Sequence, residues 1–390
     1  MPNYLTPNIY IEEISTGPRP IEAVGTSTAA FLGKAPDAAT PAGKLVSINN
    51  WSQFLRGFAA AGGPLTPLAA AVFGFFQNGG RRCWVLNVGD GPLAGGKGGR
   101  NGIDLLEEVD EVAIVAAPGF TDAASYTSLL DHCEKMQDRV AIMDAPKSVE
   151  GVETLTKVAT PAADGKKSAG MRPRESKSGF GAFYFPWIKI QNPFSSKDLV
   201  EVPPSGHLAG IYARTDASRG VHKAPANEPI RGALDVTYYV TNAEQEVLNP
   251  AGINAIRFFQ NEGVLVWGAR TVAASASEWR YLNVRRLFCM IEKSIARSTR
   301  WVVFESNDEP LWKAIIRDVT AFLTTLWRDG ALMGATAQEA FFVQCDHESN
   351  PPEEIDAGRV ITVIGIAPVK PAEFIVFRIG QSAAGAKVEA

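Results

Sequence analysis

The stretch Gly91-Pro-Leu-Ala-Gly-Gly-Lys97-Gly98 follows an apolar run and places a lysine where a phosphate-binding loop carries one. Magnesium-nucleotide binding also needs a Ser or Thr after that lysine and a helix N-terminus beneath the phosphates. Here Gly98-Gly-Arg-Asn-Gly102 continues a flexible chain. The stretch therefore reads as a surface loop, even though Asp144 ends an apolar strand where an acidic magnesium partner would stand. Cys345 and His347 lie two residues apart and can share a strand face. A structural zinc site takes four ligands, and His132, His207 and His222 show no matching spacing, so no metal is expected. Between Arg214 and Lys223 the chain gathers polar side chains of the kind an enzyme uses, but no Gly-x-Ser-x-Gly elbow anchors a hydrolase triad. An oligomeric α/β enzyme with a site near Arg214–Lys223 is the alternative reading, and no cofactor is expected. A basic set, Arg280, Arg285, Arg286, Lys293, Arg297 and Arg300, crowds a segment whose acids are Glu278 and Glu292. Such clustering suits a charged partner surface, where it sets register as much as affinity.

Helical spacing positions those basic residues. Val284, Leu287, Phe288, Ile291 and Ile295 recur on one face and predict an amphipathic helix over Trp279–Ile295. Asn307 or Asp308 can cap a second helix, Pro310 fits its first turn, and Asp329-Gly330 stops it. That helix is expected from about Leu311 to Trp327, with Leu311, Ile315, Phe322 and Leu326 buried. Two apolar strands follow, Ala340–Cys345 and Arg359–Ile366, separated by a polar loop holding Pro351 and Pro352. Pro368 and Pro371 precede a third strand, Glu373–Ile379. Proline fixes φ and lacks an N–H, so this linker is suited to holding the last strand away from its own hairpin. Asn8–Ile14 is a similar extended segment, set off by Pro7 on one side and by Pro18 and Pro20 on the other. Both ends thus carry a strand on a tether, while a hairpin with two open edges offers unpaired N–H and C=O groups to a partner strand.

The first half reads as a sheet with crossover helices. Strands are expected at Thr28–Gly33, Arg81–Val88, Glu111–Pro118, Val140–Asp144 and Phe180–Ile190. Helices are expected at Asn50–Phe58, capped by Asn50 or Ser52, at Pro67–Gln77, and at Tyr126–Arg139. Strand, helix, strand at this spacing is a βαβ pattern. Lys147–Gly179 loses periodicity and reads as an exposed loop or hairpin. With 390 residues, 46% hydrophobic and 21% charged, the chain can bury a sizeable core in two domains. A net charge of −4 argues against wrapping nucleic acid. The N-terminus lacks a basic region followed by an apolar one, and the run Leu68–Phe76 is too short to span a bilayer. A cytoplasmic protein without direct membrane insertion is expected, its four cysteines (Cys83, Cys133, Cys289, Cys345) reduced and packed.

The chain resembles the tail sheath proteins of contractile phage tails and related contractile injection systems. The resemblance rests on Tyr10-Ile-Glu-Glu-Ile14, Gly17-Pro-Arg-Pro-Ile21, Pro203-Pro-Ser-Gly206, Leu248-Asn-Pro-Ala-Gly-Ile-Asn254, Trp279-Arg-Tyr-Leu-Asn-Val-Arg-Arg286, Leu326-Trp-Arg-Asp-Gly-Ala-Leu332 and the stretch Asn350–Ile379, in order along the chain. It is weak between about Gly91 and Ser178. The family often has Pro-Gly where this chain has Pro7-Asn8; asparagine tolerates positive φ, so a turn is expected there.

The resemblance implies an α/β (α+β) two-domain sheath fold. Its parts would be an N-terminal donor arm (1–20), an outward-facing α/β domain (21–245) with variable loops at 91–102 and 147–179, a C-terminal core domain (246–370) and a C-terminal donor arm (371–390). Ile9, Tyr10, Ile11, Glu12 and Ile14 would donate one strand to a neighbour. Phe374, Ile375, Val376 and Phe377 would donate another. The acceptor hairpin would be Phe341, Phe342, Val343, Val360, Ile361, Val363 and Ile364. Arg280, Arg285, Arg286, Lys293 and Arg297 would face an inner tube, with the Leu311–Arg328 helix as the other candidate. The implied partners are further copies of the chain in a helical polymer, the tube protein, and baseplate and terminator or cap proteins. The product would be a phage or injection particle assembled in the cytoplasm. A type VI secretion sheath fits less well, because both donor strands occur in one chain here.

Overall fold

Apolar runs bounded by turn residues build the strands, and side-chain caps start the helices between them. The structure is a computed structural model that describes residues 20–95, 100–161, 170–195 and 198–375. Two compact units result: Val24–Ile291 joined by residues 368–375, and Glu292–Ala367 joined by residues 20–23.

The larger unit runs β1 (Ala29–Gly33), β2 (Leu45–Ile48), α1 (Trp51–Phe58), α2 (Pro67–Gln77), β3 (Cys83–Asn87), β4 (Ile114–Ala116), α3 (Ala123–Met136), β5 (Val140–Asp144) and α4 (Val152–Thr156). It continues through β6 (Gly181–Phe185), β7 (Ile188–Gln191), β8 (Leu199–Val202), α5 (Ser205–Arg219), β9 (Glu228–Pro229), β10 (Ala233–Val236), α6 (Asn242–Leu248), β11 (Ile253–Phe259) and β12 (Gly263–Trp267). A nine-stranded sheet has the order β2-β3-β1-β4-β5-β6-β11-β12-β9. Pairing is parallel from β3 through β11 and antiparallel beyond, at β2, β12 and β9. The parallel strands β1, β5 and β6 are buried along their whole length, as a sheet covered on both faces requires. A second sheet, β10-β7-β8, takes the continuation of the expected Phe180–Ile190 strand, which breaks after Phe185 at Pro186.

Caps fall where short polar side chains precede apolar runs. The Asn50 side chain accepts from Gln53 N–H, that of Thr66 from Ala69 N–H before Pro67, and that of Asp122 from Ser125 N–H. Close helix packing needs glycine: a Cβ on Gly74 of α2 would lie 2.3 Å from the His207 ring, and one on Gly206 of α5 would lie 2.2 Å from Ala71 Cα.

The expected boundary after residue 245 does not coincide with the division at Ile291, because β11 pairs with β6 and β12 with β11, extending the larger sheet. The expected loop Lys147–Gly179 contains α4, and its described end is fixed. Arg174 bridges Asp131 and Glu134 of α3, and Arg172 donates to Ala251 O at 2.8 Å.

The helix α7 (Leu282–Ser298) runs across the division in the chain. It starts later than its periodicity predicts. Thr271 N–H donates to Arg280 O and Leu282 N–H to Ala269 O, which ties the preceding residues to an extended segment, and Glu278–Arg280 forms a single 3-10 turn. In the smaller unit, Asp308 caps α8 (Glu309–Arg328), whose buried stripe includes Leu311, Ile315, Phe322 and Leu326. Then come α9 (Ala337–Ala340), β13 (Phe341–Gln344), α10 (Pro352–Asp356) and β14 (Val363–Ile366). The four cysteines are buried.

Candidate interaction site: an open hairpin, a pinned tether and the basic helix

Strands β13 and β14 pair antiparallel, Phe341 opposite Ile366 and Gln344 opposite Val363. Phe341 is buried, whereas its neighbour Phe342 points to the other face and is 55% exposed. Gly365 lies opposite Phe342, and a Cβ there would sit 2.1 Å from the Phe342 ring, so the ring lies across the glycine. Among the described residues no third strand joins either edge of this two-stranded sheet. Val343 and Ile364 are half-buried, and Val363 is exposed.

The second strand is shorter than expected. Val360 and Ile361 belong to the hairpin loop: Asn350, fully buried, accepts from Ile361 N–H at 2.6 Å and donates to Ile361 O at 3.0 Å. The same amide donates to Asp346 O, while Asp346 Oδ1 accepts from the backbone N–H groups of Glu348 and Ser349. The Ser349 N–H bond first, with those from the Gln344 amide and Glu348 N–H, lowers the Asp346 carboxyl below its usual range. Cys345 and His347 take separate partners, the thiol near the Asn350 amide and the imidazole edge-on to Trp312.

The linker after β14 is pinned as well as stiff. Asn283 Nδ2 donates to Val369 O at 3.1 Å and to His222 O at 2.8 Å. Arg270 Nε donates to Glu373 Oε1 at 2.9 Å, and Tyr281 OH reaches Glu373 Oε2. Directly beyond this pin, Phe374 and Ile375 are 75% and 76% exposed and join no strand ladder among the described residues. The other expected donor residues, Ile9, Tyr10, Ile11, Glu12, Ile14, Val376 and Phe377, lie outside the described residues, as does Lys97.

The basic helix needs correction. Arg285 is buried, its guanidinium 4.3 Å from the Trp279 ring centroid and 4.6 Å from that of Phe180. Arg286 is buried in a two-pronged pair with Asp216, Nη1 to Oδ1 at 2.9 Å and Nη2 to Oδ2 at 2.6 Å, and it lies over the Tyr212 ring. Neither guanidinium is offered to solvent. Arg280 is half-buried and donates to Ser275 O; Lys293 is half-buried, and Arg297 is exposed. On α8 the exposed cations are Lys313, Arg317 and Arg328.

Polar side chains between Arg214 and Lys223 hold backbone. Arg214 donates to Asn78 O and Pro229 O, Lys223 to Ala224 O, and Asp216 takes Arg286. A cleft of about 320 Å³ opens at the C-terminal ends of β1 and β4, where open α/β sheets commonly bind ligands, and its lining includes none of residues 214–223. Asp144 is a cap for α5: it accepts from Ser205 N–H at 2.8 Å, Ser205 Oγ at 2.7 Å and Gly119 N–H at 3.3 Å. Burial pushes its carboxyl up to about 7 against the downward pull of those bonds.

Comparison with known proteins gives a consistent answer. The family model described as phage tail sheath protein central domain matches residues 95–272, and that described as phage tail sheath C-terminal domain matches residues 274–382. The tail sheath protein of Vibrio phage KVP40 is 30% identical over 177 residues, 45% of this chain and 26% of that protein. The chain spans between 26% and 64% of the length of the first curated relatives it matches. Among solved structures, the sheath complex of the extracellular contractile injection system PVC, in its contracted state, is 29% identical with a TM-score of 0.80 over 98% of this chain and 99% of that one. The helical sheath of the anti-feeding prophage, also contracted, is 32% identical with a TM-score of 0.75 over 97% of this chain and 100% of that one.

Proposed function

The chain belongs to the phage tail sheath family, a family of structural proteins, and on that premise we propose that its open hairpin is completed by strands of neighbouring subunits. One edge of β13–β14 takes residues 8–14 of one neighbour, and the other takes residues 373–379 of a second. Four strands from three chains then make one small sheet. The observation that carries this reading is the two-stranded sheet with an exposed Phe342, together with a pinned linker that releases an exposed Phe374 and Ile375. Each added strand with about four backbone hydrogen bonds, at roughly 0.5–1.5 kcal/mol net apiece, and buried Ile, Val and Phe links two subunits by several kcal/mol.

Subunits joined in this way stack as rings around an inner tube, with the loops at 91–102 and 147–179 on the outside. Arg297 of α7 and the exposed cations of α8 are the tube contacts. Sheath assembly in the cytoplasm, on a baseplate and beneath a cap protein, traps an extended packing. Its release into a better-packed contracted one drives the tube through a target envelope without a fuel site. Two similar structures, the contracted helical sheath and the baseplate of the anti-feeding prophage, support the polymer and the baseplate association. Deleting Met1–Gly17 tests the scheme. Soluble, folded subunits that form no tubes are expected, and long sheaths from that truncation in electron micrographs would count against it.

A further inference from the structure

The strongest unexplained group lies far along the chain from the hairpin. Residues Gly102–Glu108 form a 3-10 helix, in which positions three apart stack on one edge, so Asp104 and Glu107 project the same way. They meet α3, where His132 is 3% exposed and neither of its ring nitrogens has a hydrogen-bond partner. One ligand atom from each of Asp104, Glu107 and His132 lies within 4.8 Å of the others. We propose that Asp104, Glu107 and His132 form a divalent-cation site that takes Zn²⁺ and staples the 3-10 helix to α3.

The donor set, one imidazole and two carboxylates, suits zinc better than magnesium, which prefers oxygen ligands and retains its water. His132 spends neither ring nitrogen on a hydrogen bond, so a lone pair is available to a metal without breaking an existing contact. Zinc bonds of about 2.0–2.1 Å set tetrahedral donors about 3.3 Å apart, so the donors must close by up to about 1.5 Å, within reach of side-chain rotation at Asp104 and Glu107. Both carboxylates are part-exposed, which leaves an entry path and room for water as the fourth ligand. The chief competitor is Lys135, whose ammonium sits 2.6 Å from Glu107 Oε1 on a largely exposed side chain, nearer than Arg100 Nε at 3.9 Å from Glu107 Oε2. Zinc must displace it.

The test is Zn²⁺ binding to the full-length chain, by competition with a chromophoric chelator at pH 7.5. Wild type should take one equivalent. Asp104→Asn should bind at least tenfold more weakly, and Lys135→Ala should bind several-fold more tightly because a competing charge is gone. Should His132→Gln fail to fold, Asp104→Asn and Lys135→Ala, both at part-exposed or exposed side chains, still decide the matter. Substoichiometric binding by wild type, or an affinity unchanged in Asp104→Asn, would place any zinc elsewhere and overturn the site.

Discussion

The Arg286–Asp216 pair offers the sharpest separation between a side chain that holds the subunit together and one that greets a partner. Asp216→Ala leaves Arg286 buried with Thr26 O, at 3.2 Å, and the face of Tyr212 as its remaining neighbours. Both side chains are almost fully buried, 3% and 6% exposed, so solvent screens the lost attraction little. Removing one partner of such a pair typically costs about 3–5 kcal/mol, because the other charge stays buried and uncompensated. At 1.4 kcal/mol per tenfold, that is about a hundred- to several-thousand-fold in the folding equilibrium, and a large share of a stability of about 5–15 kcal/mol. Urea unfolding followed by tryptophan fluorescence, at a concentration below assembly, reads it. Trp279 lies against Arg285, next in sequence to Arg286, and so reports on this region. The double variant Arg286→Met, Asp216→Leu should recover most of the loss, because it removes both charges and keeps the volume. A loss under about 1 kcal/mol in Asp216→Ala, combined with abolished assembly, would show that Arg286 works against a partner after all.

Further outcomes follow from the cap at α5 and from the tether. The Asp144 carboxyl titrates higher in the folded chain than unfolded, so the native state binds the extra proton, and the stability contributed by Asp144 falls as pH rises from about 4 to about 7. The difference in urea midpoint between wild type and Asp144→Asn should change across that window and stay flat above it; parallel curves would refute the assignment. Glu373→Gln should leave Arg270 with an unpaired buried charge, costing about 1–3 kcal/mol locally. Amides of Val369, Lys370 and residues 372–375 should then exchange hydrogen measurably faster, and unchanged exchange would mean that the prolines alone hold the tether.

Local rules reached much of this fold. Asn50, Asp308 and the stop at Asp329-Gly330 mark helix ends because capping depends on neighbours in sequence, and Val140–Asp144 reads as a strand residue for residue. The β13–β14 hairpin follows from two apolar runs separated by a polar, proline-bearing loop. What stayed hidden depends on distant partners. Arg286 reads as one of a partner-facing basic set until Asp216, seventy residues away, is brought beside it. Leu282 and Cys289, four before and three after it on the helix, are also buried, and they were the available signal that this face turns inward. Helix α5 escaped periodicity because its residues from Ser205 to Ala213 are buried all round, against α2 on one side and the sheet on the other. Asn350 looked like one more polar loop residue, yet its amide and carbonyl together hold Ile361 in the hairpin loop ahead of β14.

A helical reconstruction of the assembled polymer by electron cryomicroscopy, at a resolution that traces the backbone around Phe342 and Gly365, tests the central claim most directly. The account predicts four strands at each hairpin, with residues 8–14 and 373–379 arriving from two different subunits. A hairpin whose two edges both face solvent, or are both filled by the ends of its own chain, would contradict it.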